Sequence, residues 1–394
     1  MTRLWDKGAP LDARVLAYTA GDDYLLDERL VRYDVLASLA HARMLHDQKL
    51  LSAGDLAAIT AGLNELAQSH ARGEWRIELA DEDGQTALES RLTQKIGEAG
   101  ARIHLGRSRN DQVLTALRLY LRDATRELAA AARRVAAALD EFGARESGTL
   151  LPGYTHMQQA MPSSVPLWAG GFAAEIRDDA DNLEGVLRRL GRNPLGSAAG
   201  FGAPGLPLDR DATTKALGFD STQTPVTAAQ LSRGKAEAQL LFEITLLMQD
   251  LGRFAADVLL FYTQEFGFLA LPDAFTTGSS IMPQKRNPDV FELLRGRTAV
   301  AHAALDEALG IFAKLPSGYH RDLQLLKAPL FRGIDLAAQT LDLLPSAIAA
   351  MAFKPQNIKL DPTIHAAEQA YAVVVAEGIP FREAYRRIAA KLKE

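Results

Sequence analysis

Residues 231–261 constrain the fold more than any other part of the chain. Apolar side chains recur there on nearly every side of a predicted helix, in Leu240-Leu241-Phe242, Ile244, Leu246-Leu247-Met248 and Val258-Leu259-Leu260-Phe261. A helix apolar all round belongs inside a bundle, because a surface helix carries a single apolar stripe. Residues 111–142 place Val113, Leu117, Tyr120, Leu121, Ala124, Leu128, Val135, Leu139 and Phe142 at three- and four-residue steps with Arg and Glu between them. That spacing predicts a second long helix, this one amphipathic. Further helical runs follow Pro166, follow Pro288 and extend from about 330 to 352. No segment shows sustained alternation with β-branched enrichment, so five long helices predict an all-α fold. Helices of this length exceed what one small core needs, which points to oligomerisation through the bundle.

Glycines and prolines fall between these runs, at 151–154, 193–207 and 271–283, and mark loops. The expected parse is an N-terminal helical domain at 1–108, a central long-helix domain at 109–350 and a short C-terminal helical domain at 351–394. A chain of 394 residues with 47% hydrophobic content can bury a large core. Its net charge of -5 and lack of a basic arm argue against nucleic-acid binding. No apolar run reaches the ~18 residues of a membrane span, and the start, Met1-Thr2-Arg3-Leu4-Trp5-Asp6, lacks a signal peptide's apolar stretch, so a cytoplasmic protein is expected. With no cysteine there is neither a disulfide nor a thiolate metal site. The eight histidines form no HExxH pair, and no metal is expected.

Three polar segments sit at loops or helix starts beside the long helices, which is how catalytic constellations are often built. In Gly106-Arg107-Ser108-Arg109-Asn110-Asp111, residues 108, 110 and 111 are all good N-caps, yet two arginines and an asparagine at a helix start also make a carboxylate receptor. Gly153-Tyr154-Thr155-His156-Met157-Gln158 offers a histidine beside a hydroxyl, although a lone loop histidine is usually structural. In the segment from Gly278-Ser279-Ser280 to Lys285-Arg286-Asn287-Pro288-Asp289, a Gly-Ser-Ser loop can present backbone N–H donors beside a lysine and an amide. Asn287-Pro288 also reads as an N-cap followed by an N1 proline. No GxSxG motif supports acyl transfer. The set suits removal of a proton next to a carboxylate, where charge building on the oxygens must meet fixed donors.

The loop Gly278-Ser279-Ser280-Ile281-Met282-Pro283-Gln284-Lys285-Arg286-Asn287-Pro288 resembles the signature of the fumarase/aspartase/argininosuccinate lyase superfamily. The segments at 106–113 and 152–158 resemble the argininosuccinate lyase form, as does Tyr319-His320-Arg321-Asp322-Leu323-Gln324 followed by Lys327. The resemblance implies a homotetramer whose central helices form a twenty-helix core, with each active site shared by three subunits. It implies cleavage of argininosuccinate to arginine and fumarate without a cofactor, the last step of arginine biosynthesis. Ser279 would be the base that takes a proton next to the succinyl carboxylate, its alkoxide favoured by Lys285 and backbone N–H groups. Lys285 and Asn287 would hold the aci-carboxylate. His156, oriented by Glu292, would serve proton transfer or binding. Arg109, Asn110, Thr155, Tyr319, Gln324 and Lys327 match substrate-binding positions.

The chain departs from the family pattern in three places. Where the family commonly has an Asn-Ala-Ser segment, it reads Tyr18-Thr19-Ala20-Gly21-Asp22-Asp23, and where a histidine often precedes a threonine it has Gln85. It also stops at Lys391-Leu392-Lys393-Glu394, where relatives continue for some tens of residues. A fumarase or aspartase would read Met-Pro-Gly-Lys-Val-Asn in the loop, against Met282-Pro283-Gln284-Lys285-Arg286-Asn287 here, and an adenylosuccinate lyase would carry a different first segment. A purely structural, crystallin-like role is the alternative of another class, and the presence of Ser279, His156, Lys285 and Glu292 argues against it.

Overall fold

A computed structural model of the chain describes residues 12–392, so the opening hexapeptide and the last two residues considered above lie outside the described range. The described chain is dominated by helices. Helices α1 (Val31–Asp47), α2 (Ala53–Ala71) and α3 (Gly84–Ile96) precede the first long helix, α4 (Arg109–Arg145). Strands β1 (Leu150–Thr155) and β2 (Gln158–Ser164) then form an antiparallel hairpin. Four more long helices follow: α5 (Val165–Gly185), α6 (Lys235–Tyr262), α7 (Asp289–Phe312) and α8 (Lys327–Ala350). The shorter α9 (Ala366–Glu377) and α10 (Phe381–Lys391) complete the described chain. The five long helices are those that the apolar periodicity predicts.

The chain divides into two compact units, Met1–Leu128 with Asn182–Ile244 and Ala301–Asp335, and Ala129–Asp181 with Thr245–Val300 and Leu336–Glu394. Each long helix contributes one stretch to each unit. In the first unit, α1, α2 and α3 pack around Leu45, Ile59, Leu63, Leu88 and Leu92, all at most 3% exposed. The second unit is centred on Trp168, whose ring meets Phe142, Phe172, Phe254, Phe261 and Phe353 and whose Nε1–H donates to Asp257 at 2.9 Å. Such aromatic contacts add to what area burial alone supplies, and the indole N–H finds the partner that burial requires.

Two local readings change. The segment read as a loop around Gly153 is the β1–β2 hairpin, in which Pro152 stands opposite Pro162 and the register shifts between Gly153 and Tyr154. Prolines and a bulge erase the alternation by which a strand is recognised in sequence. The helix read from 231 starts at Lys235, because Gly234 has φ +83 and breaks the run. Nor is α6 covered on every side within one chain: Leu240, Leu241, Leu247 and Met248 are fully buried, but Phe242 is 47% and Leu246 36% exposed. Among the described residues, no helix is long and apolar enough to cross a membrane.

Candidate active site

The start of α4 is built by a reciprocal cap. Ser108 Oγ accepts the Asn110 N–H at 3.3 Å while the Asp111 carboxylate accepts the Ser108 N–H at 2.9 Å. The other Asp111 oxygen receives the N–H groups of Gly196 and Ala198 at 2.9 and 2.8 Å. Burial pushes Asp111 up to about 6, against the pull of these donors. Capping is thus done by Ser108 and Asp111, which leaves Arg109 and Asn110 to face a pocket.

That pocket, wholly in the first unit, is lined by Arg109, Asn110, Tyr319, Gln324 and Lys327, five of the residues the sequence singles out. Their environments differ. Lys327 is 1% exposed and its Nζ lies 2.5 Å from Asp27 and 2.7 Å from Asp23. Burial alone would lower the lysine, but the two carboxylates outweigh it and hold the ammonium form. Burial pushes Asp23 up to about 7, opposed by Lys327. The Gln324 amide donates to the carbonyls of Thr19 and Ala20 at 3.0 Å, and Arg109 donates to Asp83 at 2.8 Å. Asp23, Asp83, Arg233 and Arg321 also line this pocket, and none was singled out from sequence. Tyr18-Thr19-Ala20-Gly21-Asp22-Asp23 carries only a negative signal in sequence, as a departure from the family. Arg233 was hidden because it lies at the edge of the most apolar helix.

The signature loop belongs to the second unit. Thr277 and Asn287 pair through N–H···O bonds of 3.0 and 2.8 Å, closing residues 278–286 into a surface loop. The Asn287 amide donates to Gly278 O at 3.2 Å and to Thr277 Oγ1 at 3.4 Å. Asn287 is therefore not the N-cap that its proline neighbour suggests; α7 begins at Asp289, and Asn287 ties the loop's ends. Inside the loop, Ser279 Oγ accepts the N–H groups of Met282 and Ile281 at 3.2 and 3.4 Å. Lys285, Asn287 and Glu292 line a second pocket with Tyr262, Gln284 and Arg295.

Thr155 and His156 lie at the exposed tip of the β1–β2 hairpin. His156 and Met157 form its two-residue turn with φ of 52° and 60°. Both angles are those a type I′ turn demands, usually met by Asn-Gly, and holding two bulkier residues there costs roughly 1 kcal/mol or more each. Strain of this kind concentrates at functional sites. Among the described residues, no hydrogen bond joins His156 to Glu292, and neither Ser279 nor His156 lines either pocket. Among the described residues, no group of three or more His, Asp or Glu is placed to hold a metal ion.

Residues 11–302 match the sequence family described as Lyase. The chain is 47% identical over 392 residues to an argininosuccinate lyase of Sorangium cellulosum, covering 99% of this chain and 90% of that protein. It is 43% identical over 390 residues to the argininosuccinate lyase of Stenotrophomonas maltophilia, covering 98% and 90%. Among solved structures, EDDS lyase in complex with formate superposes with a TM-score of 0.81 at 23% identity, covering 97% of this chain and 76% of that one. A class II fumarase from Schistosoma mansoni does so with a TM-score of 0.80 at 18% identity, covering 98% and 91%. At such identities the two structures establish the fold alone.

Proposed function

This chain belongs to the argininosuccinate lyase family and splits argininosuccinate into arginine and fumarate, and we propose that Ser279 starts that reaction as the general base. The observation that carries this reading is the convergence of two backbone N–H groups on Ser279 Oγ. Donors fixed on an oxygen favour its anionic form, and an ordinary serine is otherwise far too weak an acid to act near neutral pH. Ser279 removes the proton from the carbon next to the succinyl carboxylate. The charge passes to the carboxylate as an aci-carboxylate, held by the Lys285 ammonium and the Asn287 amide. The electron pair then forms the carbon–carbon double bond of fumarate as the carbon–nitrogen bond breaks. His156, oriented by Glu292 in the assembled tetramer, serves proton transfer or binding, and the departing nitrogen takes up a proton so that arginine leaves with a guanidinium. Arg109, Asn110, Thr155, Tyr319, Gln324 and Lys327 position the substrate.

The proposal includes a homotetramer in which three subunits share each site. Two features support it: the proposed site residues fall into separate sets, and apolar side chains stay open on long helices, with Phe242 47% and Leu293 63% exposed. It also includes the three-domain parse 1–108, 109–350 and 351–394, a cytoplasmic location and chemistry without a cofactor.

Ser279→Ala is expected to abolish turnover while binding of argininosuccinate, read by calorimetry, stays within a few-fold, because the change deletes the base and little packing. Turnover near the wild-type rate would remove Ser279 from this role. Lys285→Ala is expected to lose both affinity and rate, as removal of a charged hydrogen-bond donor costs about 2–4 kcal/mol. Unchanged affinity together with unchanged rate would take Lys285 out of the site.

A further inference from the structure

The pocket of the first unit holds cations in two different states. Lys327 is neutralised twice over by Asp23 and Asp27, and Arg109 is engaged by Asp83. Arg233 is different. It lines the pocket, is 4% exposed, and spends one N–H on Leu323 O at 3.2 Å. Its Nε and Nη1 are buried without a hydrogen-bond partner, and the nearest carboxylate, Glu237, stands 3.9 Å from Nε, beyond hydrogen-bond reach. Glu237 also faces a second buried guanidinium, Arg118, whose two Nη atoms are already bonded to Gln223 Oε1, Ser232 Oγ and Arg192 O. Two buried guanidiniums thus share one carboxylate. A second orphan donor lines the same pocket, the Nε2 of Gln85, itself 3% exposed. A buried donor without a partner is costly, and a guanidinium without one more so. Both unused groups donate, so what completes the pocket is an anionic oxygen pair, and a guanidinium's geometry matches a carboxylate's.

We infer that Arg233, supported by Gln85, is the carboxylate receptor of this pocket and takes the α-carboxylate of the substrate's arginine half. This rests on the proposed reaction, in which Lys285 and Asn287 of the signature loop serve the succinyl carboxylate and leave the amino-acid end to the pocket of Tyr319 and Gln324. Asp23 and Asp83 also line that pocket, but each is already paired with a cation of its own, Lys327 and Arg109, so the unpaired groups there are donors suited to the carboxylate. Arg233 is thereby a specificity residue: it favours a substrate with a carboxylate at this end.

The test compares arginine with agmatine, which lacks only the α-carboxylate, by titration calorimetry on the assembled enzyme. Wild-type protein is expected to prefer arginine by roughly 30-fold or more, the value of a buried charged pair. In Arg233→Met the preference is expected to fall to within a few-fold, and in Arg233→Lys, which keeps charge but loses the fork, to an intermediate value. Gln85→Leu is expected to lower it as well and stands in if the Arg233 variants do not assemble. An unchanged arginine-to-agmatine ratio in a folded variant would overturn the inference and leave Arg233 as a structural cation. So would loss of fumarate binding with the ratio intact, which would put the succinyl carboxylate there. Turnover of argininosuccinate by wild-type enzyme is measured separately, so failure of the reaction itself is distinguishable from failure of this assignment.

Discussion

At the residue scale, buried carboxylates set how this molecule answers to pH. Asp34 is 1% exposed, neither of its oxygens has a hydrogen-bond partner, and burial pushes it up to about 7 against the pull of Arg107. In the unfolded chain an aspartate titrates near 3.9. Between about pH 4 and pH 7 the folded form therefore holds a proton that the unfolded form has released, and stability falls as pH rises through that window, by at most about 1.4 kcal/mol per pH unit for one group. Asp23 and Asp111, also raised by burial, act in the same direction. Asp34→Asn is expected to flatten the decline of melting temperature between pH 5 and pH 7.5; an unaltered slope would show that Asp34 is already ionised at the low end. Some of this scale was legible in sequence. Arg109, Asn110, Tyr319, Gln324 and Lys327 were singled out by their motifs and line one pocket. That Lys327 is buried between two aspartates was not, since its partners lie 300 and more residues away in the chain, at Asp27 and Asp23.

At the scale of elements, periodicity was a sound guide for long helices and a poor one for their ends. The register of α4 is visible in its three- and four-residue steps, but its first turn is set by Ser108 and Asp111, and by the latter's bonds to Gly196 and Ala198 far along the chain. The start of α6 depends on a glycine. At Gly234 a Cβ would come within 2.3 Å of the Phe312 ring, and φ is +83. Gly234→Ala is expected to cost about 2–4 kcal/mol, from left-handed backbone and overpacking together, and to shift Arg233, its neighbour. A melting temperature within a degree of wild type would contradict that estimate. The β1–β2 hairpin escaped the sequence reading for the reverse reason: Pro152, Gly153 and Pro162 look like loop residues, and only the paired backbone and the strained tip at His156 and Met157 reveal a built turn.

At the scale of the whole molecule, the proposed site draws on more than one chain. Light scattering is expected to give the mass of a tetramer. Ser279→Ala and Asn110→Ala, each inactive alone, are expected to regain part of the activity when dissociated and reassembled together, because some mixed sites draw every catalytic side chain from an intact copy; no recovery from confirmed mixed tetramers would argue that each chain carries a complete site. The reaction itself is followed by ultraviolet absorbance as purified protein is mixed with argininosuccinate, and separately with malate, aspartate and adenylosuccinate. Fumarate's conjugated double bond should appear with argininosuccinate and not with the other three. No rise with argininosuccinate from a tetrameric preparation, or a faster rise with one of the others, would contradict argininosuccinate cleavage by this protein.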